Sequence, residues 1–345
     1  MCNIAGYVGT KPAAPILIDM MRRQEGFDAG FYTGIATIHE GRIYCAKVAG
    51  SLETLLKETD AASLPGNIGI IHGRTPGSKW QDEQWGHPFT TIRDGETVSA
   101  LVANGGMGFF EPRLPERIDA AERVRAAGYP LKTAYYKPDA NFKLSDDITM
   151  HYSDVLCQLV TWKVDQGMDT AVALEKAVCE HIGEIVTLYL NLCRPDGISF
   201  ARVNMPMHLN FVDHGAYLAT TPMAFPEDAG EPQLLPAMSS GFVSKDSVTV
   251  RPFPEPPATV AQLDSKAYHD LYDMIYRELH REGGITKYTV GDMKALFQPA
   301  ELYPAAAAFY RILYDINKTE PVGIRVEQIP GQKEGQTAPK FYAYL

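Results

Sequence analysis

A cysteine stands second in the chain, at the head of the apolar run NIAGYVG. Removal of Met1 would leave Cys2 with a thiol and a free α-amine, a group that titrates at about pH 7.7–8.0. One residue would then supply a nucleophile and its own general base. Acyl transfer by such a cysteine needs donors for the developing oxyanion and anchors for the substrate. Three polar stretches at the ends of apolar segments carry residues of that kind. In Ala103-Asn104-Gly105-Gly106, the Asn104 amide and the Gly105 backbone N–H are candidate oxyanion donors, although Asn-Gly alone marks an ordinary turn. In His72-Gly73-Arg74-Thr75-Pro76, the Arg74 fork suits a carboxylate, with Thr75 beside it as a second candidate for substrate binding. Ser153-Asp154 opens a helix, either as an N-cap pair or with the Asp154 carboxylate set against an ammonium group.

The elements that must position these residues follow from pattern. Residues 3–9 read as a buried strand and 14–24 as a helix, then come strands at 32–39 and 42–49 joined at Glu40-Gly41. A helix near 51–58 leads to the strand NIGIIH, and 73–88 reads as a loop. The strand TVSALVA runs into ANGG, and PERIDAAERVRAAG reads as a helix. Helices at 152–166 and 170–182 precede strands at 184–192, 197–204, 208–213 and 216–220. Strands in two groups with helices between and around them predict a layered α+β domain. The Pro-rich FPEPP at 253–257 marks a boundary. Beyond it, helices at 262–282, 289–297 and 301–317 and the strands IRVEQI and KFYAYL outline a winged-helix-like unit.

Composition narrows the function classes. The 345 residues carry 45% hydrophobic residues and a net charge of −10, which fits a folded protein and opposes non-specific binding to nucleic acid or membrane surfaces. Residues 256–345 hold ten basic and eleven acidic side chains, too few positive charges for a phosphate-binding domain. Five cysteines without CxxC spacing predict neither a disulfide framework nor a zinc site, and Cys45, Cys157, Cys179 and Cys193 lie in apolar segments as expected core residues. No apolar stretch approaches a membrane span, and the N-terminus lacks the pattern of a signal peptide, so the expected location is the cytoplasm. The histidines show no metal-ligand spacing; His72 and His87 flank the proposed cleft.

Taken in order, MCNIAGYVG, RRQEGFDAGFYTGIAT, GIIHGRTPG with GHPF, ANGG and SD resemble the class II (N-terminal nucleophile) glutamine amidotransferases, in particular the glutaminase domain of glucosamine-6-phosphate synthase. The resemblance covers about 1–254 and implies a four-layer αββα N-terminal-nucleophile (Ntn) hydrolase sandwich over 2–254, with 258–345 as the winged-helix-like domain. It implies Cys2 as nucleophile, Asn104 and Gly105 as oxyanion hole, Arg74 at the substrate α-carboxylate and Asp154 at the α-ammonium. L-glutamine is the implied substrate, and the chemistry requires no cofactor or metal. No acceptor-synthase signature follows, so ammonia is expected to pass to a separate acceptor subunit. The chain departs from the family pattern at Asn3, Glu25, Thr75, Gly77, Ser78 and Trp85. Those departures fall around the glutamine-binding loop, which keeps a different small amide as the alternative substrate. A regulatory or binding protein retaining the fold is the third reading.

Overall fold

The computed structural model describes residues 2–77, 83–133, 135–136, 144, 148–286, 302 and 304–345, with the backbone alone at 135, 136 and 148. The first strands are β1 (Asn3–Gly9), β2 (Tyr32–His39), β3 (Arg42–Val48), β4 (Ile68–Arg74), β5 (Phe89–Arg93) and β6 (Glu96–Gly106). A short pair, β7 (Tyr135–Tyr136) and β8 (Ile148–Thr149), precedes β9 (Glu184–Asn191), β10 (Ile198–Arg202), β11 (His208–Val212) and β12 (Gly215–Ala219). Then come β13 (Gln233–Leu234), β14 (Ser239–Val243) and β15 (Val248–Pro252), and the chain closes on β16 (Gly323–Pro330) and β17 (Thr337–Tyr344). The helices are α1 (Ala13–Arg22), α2 (Leu52–Glu58), α3 (Leu114–Ala126), α4 (Tyr152–Asp165), α5 (Thr170–Glu180), α6 (Ser265–Leu279) and α7 (Ala305–Thr319).

Two antiparallel sheets organise the larger part. One has the order β13-β11-β12-β1-β4-β2-β3, the other β15-β14-β10-β9-β6-β5. Successive side chains of a strand point to opposite faces, and here both faces are buried. In β1, Ile4 and Val8 join a core shared with Val102, Leu188 and Phe200 of the second sheet, while Ala5 and Tyr7 pack with Leu17 and Met21 of α1. In β6, Ala100 and Val102 face the shared core, whereas Leu101 and Ala103 face α4 residues such as Leu156 and Val160. Burial on both faces is why these strands read as continuous apolar runs without polar alternation.

Three local expectations change. Phe89–Arg93, unassigned in the sequence, forms the edge strand β5 paired with β6. Ala103–Gly106 is not a turn after a strand; β6 continues through it, with Asn104 opposite Val186 and Gly105 opposite Ile185. Gly105 adopts φ +126°, and a Cβ there would lie 1.9 Å from the Glu184 carbonyl oxygen, so glycine is required for this pairing. Cys45 and Cys193 are exposed, because β3 and the turn after β9 present them to solvent; Cys157 is buried and Cys179 half-buried.

Beyond residue 252, α6, α7 and the β16–β17 hairpin share one core containing Leu271, Ile275, Phe309, Leu313 and Phe341. The expected helix at 289–297 falls outside the described residues. This core also takes in Phe27 from the segment between α1 and β2, which meets Phe341 edge-on at 5.2 Å and Tyr310 at 5.9 Å. Gly26 permits that approach, since a Cβ there would sit 2.0 Å from the Phe341 ring. Arg311 and Lys318 of α7 both pair with Glu231. Phe341→Leu keeps the apolar bulk and removes the edge-on ring pair, so a loss of about 1 kcal/mol in unfolding free energy is expected. Urea denaturation checks it, and an unchanged midpoint would show that the ring pair adds nothing.

Candidate active site

Cys2 lies just ahead of β1, where Asn3 pairs with Gly73 and Ile4 with His72 of β4. Asn3 is fully buried and its side-chain amide donates to the Gln24 carbonyl, while Gln24 Nε2 donates to the Ile4 carbonyl at 3.1 Å. These bonds fasten the start of β1 to the end of α1 and so fix where Cys2 can reach. The Cys2 Sγ lies 3.8 Å from Thr75 Oγ1. Burial pushes the thiol up, but the neighbouring His72, the terminal ammonium and the Thr75 backbone N–H outweigh it and bring the thiol down to about 6. His72 and the thiol interact without a hydrogen bond of regular geometry, since His72 Nδ1 has no partner within the normal limits. Burial instead pushes Cys157 up to about 12 and Cys179 up to about 11. The Cys2 thiol is therefore expected to alkylate with a midpoint near pH 6, rising to a plateau above pH 7 as the thiolate fills. Pulse labelling with iodoacetamide and peptide mass spectrometry checks it; a Cys2 rate still climbing through pH 8 would contradict the lowered thiol.

His72 ties the two sheets together at this end. Its Nε2 lies 3.0 Å from the Ala103 carbonyl oxygen, one residue before Asn104. Asn104 is fully buried, and both its amide oxygen and its amide nitrogen lack partners. The structure thus brings Cys2, Thr75, Asn104 and Gly105 to adjoining strand ends. Arg74 closes β4 opposite Tyr32; its Nη1 donates to the Trp85 carbonyl at 2.8 Å and its guanidinium lies 4.9 Å from the Tyr32 ring centroid.

Asp154 sits in the first turn of α4, buried, with Oδ2 accepting from the Thr133 N–H at 2.9 Å and the Thr133 hydroxyl at 2.8 Å. Its Oδ1 accepts from Gln158 at 3.4 Å, and burial pushes its carboxyl up despite these donors. None of these bonds reaches Cys2, Arg74 or Asn104, so Asp154 is held in a neighbouring polar cluster. The expected Ser153-Asp154 cap is also displaced: the N-cap is His151, whose Nδ1 accepts from the Ser153 N–H.

His151 is the site residue the sequence reading passed over. Its ring lies 5.5 Å from His87, which stacks on His72 at 3.8 Å, so three imidazoles connect the nucleophile's neighbour to the start of α4. Burial, then the nearby charges, holds His87 and His151 well below the usual imidazole range. Lys47 donates to the carbonyls of Gly86 and Pro88, and burial lowers it to about 8. Among the described residues no group of His, Cys, Asp or Glu could hold a metal ion, and no helix is long and apolar enough to cross a membrane. A thiol lowered to about 6, linked through His72 to the strand that carries an unpartnered buried amide and a glycine, is the kind of group set that attack on a carbonyl and retention of an oxyanion require.

Comparison with known proteins shows what the chain is similar to. No family model matches the chain. It is 26% identical over 253 residues to the glutamine–fructose-6-phosphate aminotransferase (isomerizing) of Pyrococcus horikoshii, covering 73% of this chain and 38% of the relative. It is 34% identical over 107 residues to the enzyme of that name from Thermosynechococcus vestitus, covering 30% of this chain and 16% of the relative. The chain thus spans less than two-fifths of the length of these relatives. Among solved structures, the glutamine phosphoribosylpyrophosphate amidotransferase of B. subtilis superposes with a TM-score of 0.57 at 14% identity, covering 80% of this chain and 58% of that one. A second, described as the allosteric regulatory enzyme of purine biosynthesis, gives 0.58 at 14% identity over 90% of this chain and 63% of that one.

Proposed function

We propose that the chain, a class II (N-terminal nucleophile) glutamine amidotransferase, hydrolyses the side-chain amide of L-glutamine through Cys2. Removal of Met1 frees the Cys2 α-amine, which accepts the thiol proton as the sulfur attacks the amide carbon. Asn104 and the Gly105 N–H hold the oxyanion, the C–N bond breaks, ammonia leaves with the returned proton, and water then cleaves the thioester to release the acid. Arg74 and Thr75 bind the substrate, with Asp154 at its ammonium end. Ammonia passes to an acceptor on a partner subunit. The framework for this is a four-layer αββα Ntn sandwich over 2–254, supported by the core between the sheets and by the helix-facing core on each outer side. Residues 258–345 form a separate winged-helix-like domain that docks on it without binding nucleic acid.

The observation that carries this reading is the Asn104 amide, buried and unpartnered on the strand that His72 ties to the Cys2 end of the first sheet. One observation favours a different small amide as substrate: Arg74, the carboxylate clamp, is engaged with the Trp85 carbonyl. Ammonia and glutamate release from L-glutamine, measured against a panel of small amides, decides between them. A mass increase confined to a Cys2-initiated chain after treatment with an electrophilic glutamine analogue is the expected companion result. A fully active protein that retains Met1 would overturn the mechanism.

A further inference from the structure

The arginines around α3 are treated very differently by the fold. Arg113 pairs with Glu116, Arg123 with Asp119 and Glu180, and Arg125 with Glu122, all at the surface. Arg117 turns inward and is fully buried. Its Nε donates to the Ile182 carbonyl and its guanidinium faces the Tyr152 ring at 5.6 Å, but among the described residues Nη1 and Nη2 have no partner. Arg202, the other deeply buried guanidinium, shows what a self-sufficient one looks like: it donates to the carbonyls of Met205, Leu235 and Asn204. A guanidinium stays charged at any working pH, and a buried charge without a counter-charge or a full set of acceptors is strongly unfavourable. Among the described residues no carboxylate is paired with it: Glu116, whose charge it feels, pairs with Arg113 at the surface. Glu184, the buried acid nearby in sequence to Ile182, is taken up by the Phe109 N–H and the Asn204 amide.

We propose that Arg117 forms the base of an anion-binding site that takes one carboxylate or phosphate group on Nη1 and Nη2. The paired N–H bonds of a guanidinium fork match the two oxygens of such a group. Its place is the meeting of β9 with the glycine end of β6: Ile182 stands two residues before Glu184, the register partner of Gly106. This site is independent of the Cys2 chemistry and stands whether or not glutamine is the substrate.

The test is the Tm of the full chain titrated with inorganic phosphate and, separately, with acetate, at ionic strength held constant with sodium chloride. A ligand that binds the native state alone raises Tm with the logarithm of its concentration above Kd. At least one of the two anions is expected to raise the wild-type Tm by several degrees and to leave Arg117→Met unmoved; which arm responds separates phosphate from carboxylate. Arg117→Lys, which keeps a charge without the fork, is expected to bind roughly tenfold more weakly or worse. If Arg117→Met fails to fold, the wild type and Arg117→Lys alone decide. Equal shifts in wild type and variants, or no shift beyond that of chloride, would overturn the proposal.

Discussion

Cys2→Ala is expected to bring amide turnover down to the uncatalysed background, a loss of roughly 10⁶ in kcat, as when the nucleophile of a covalent hydrolase is removed. The size follows from the reaction path. Without the sulfur there is no thioester, and the surrounding donors can only bind the amide. Loss of the thiol leaves the fold intact, because Cys2 lies outside the hydrophobic cores and its polar contact is a 3.8 Å approach to Thr75. Folded protein by circular dichroism with no measurable ammonia release is the expected pair of results. Turnover within tenfold of wild type would show that the nucleophile lies elsewhere.

Asn104→Ala should lower kcat by roughly 10²–10³ with little change in KM, the loss that follows deletion of one oxyanion donor. A second readout separates this from a structural role. Among the described residues the Asn104 side chain has no hydrogen-bond partner, so alanine orphans none of them and Tm should not fall on that account. A structural asparagine would behave in the opposite way, with Tm dropping and activity following it down. A variant with normal kcat would remove Asn104 from the oxyanion hole.

The parts of this arrangement that were legible in the sequence are those governed by local pattern. β1, β2, β3 and the strands from Glu184 to Ala219 lie within a residue or two of where apolar runs and turn residues put them. Cys2, Arg74, Asn104 and Gly105 stood out because each sits at the end of such a run. What local pattern could not show were partners supplied from far along the chain. Thr133 reaches Asp154 across 21 residues and donates twice to its Oδ2, a contact no local pattern shows. Pro88 hid β5, because a proline at the margin of a run argues against a strand, yet at this sheet edge Phe89 begins one directly after it. His151 carried a readable signal, its place immediately before a helix, but the Ser153-Asp154 pair offered a more familiar cap.

The three imidazoles, His72 stacked on His87 and His87 edge-on to His151, set a limit on where hydrogen ions can travel. His87 and His151 are both driven far toward the neutral form by their buried surroundings, so neither readily accepts a hydrogen ion from a neighbour. His72 has the stacked His87 ring on one side and the Ala103 carbonyl at 3.0 Å on another. The rings beyond it therefore offer no easy relay from the Cys2 end toward α4. The row of rings insulates where it might have conducted, which leaves the Cys2 α-amine as the proposed place for the thiol proton.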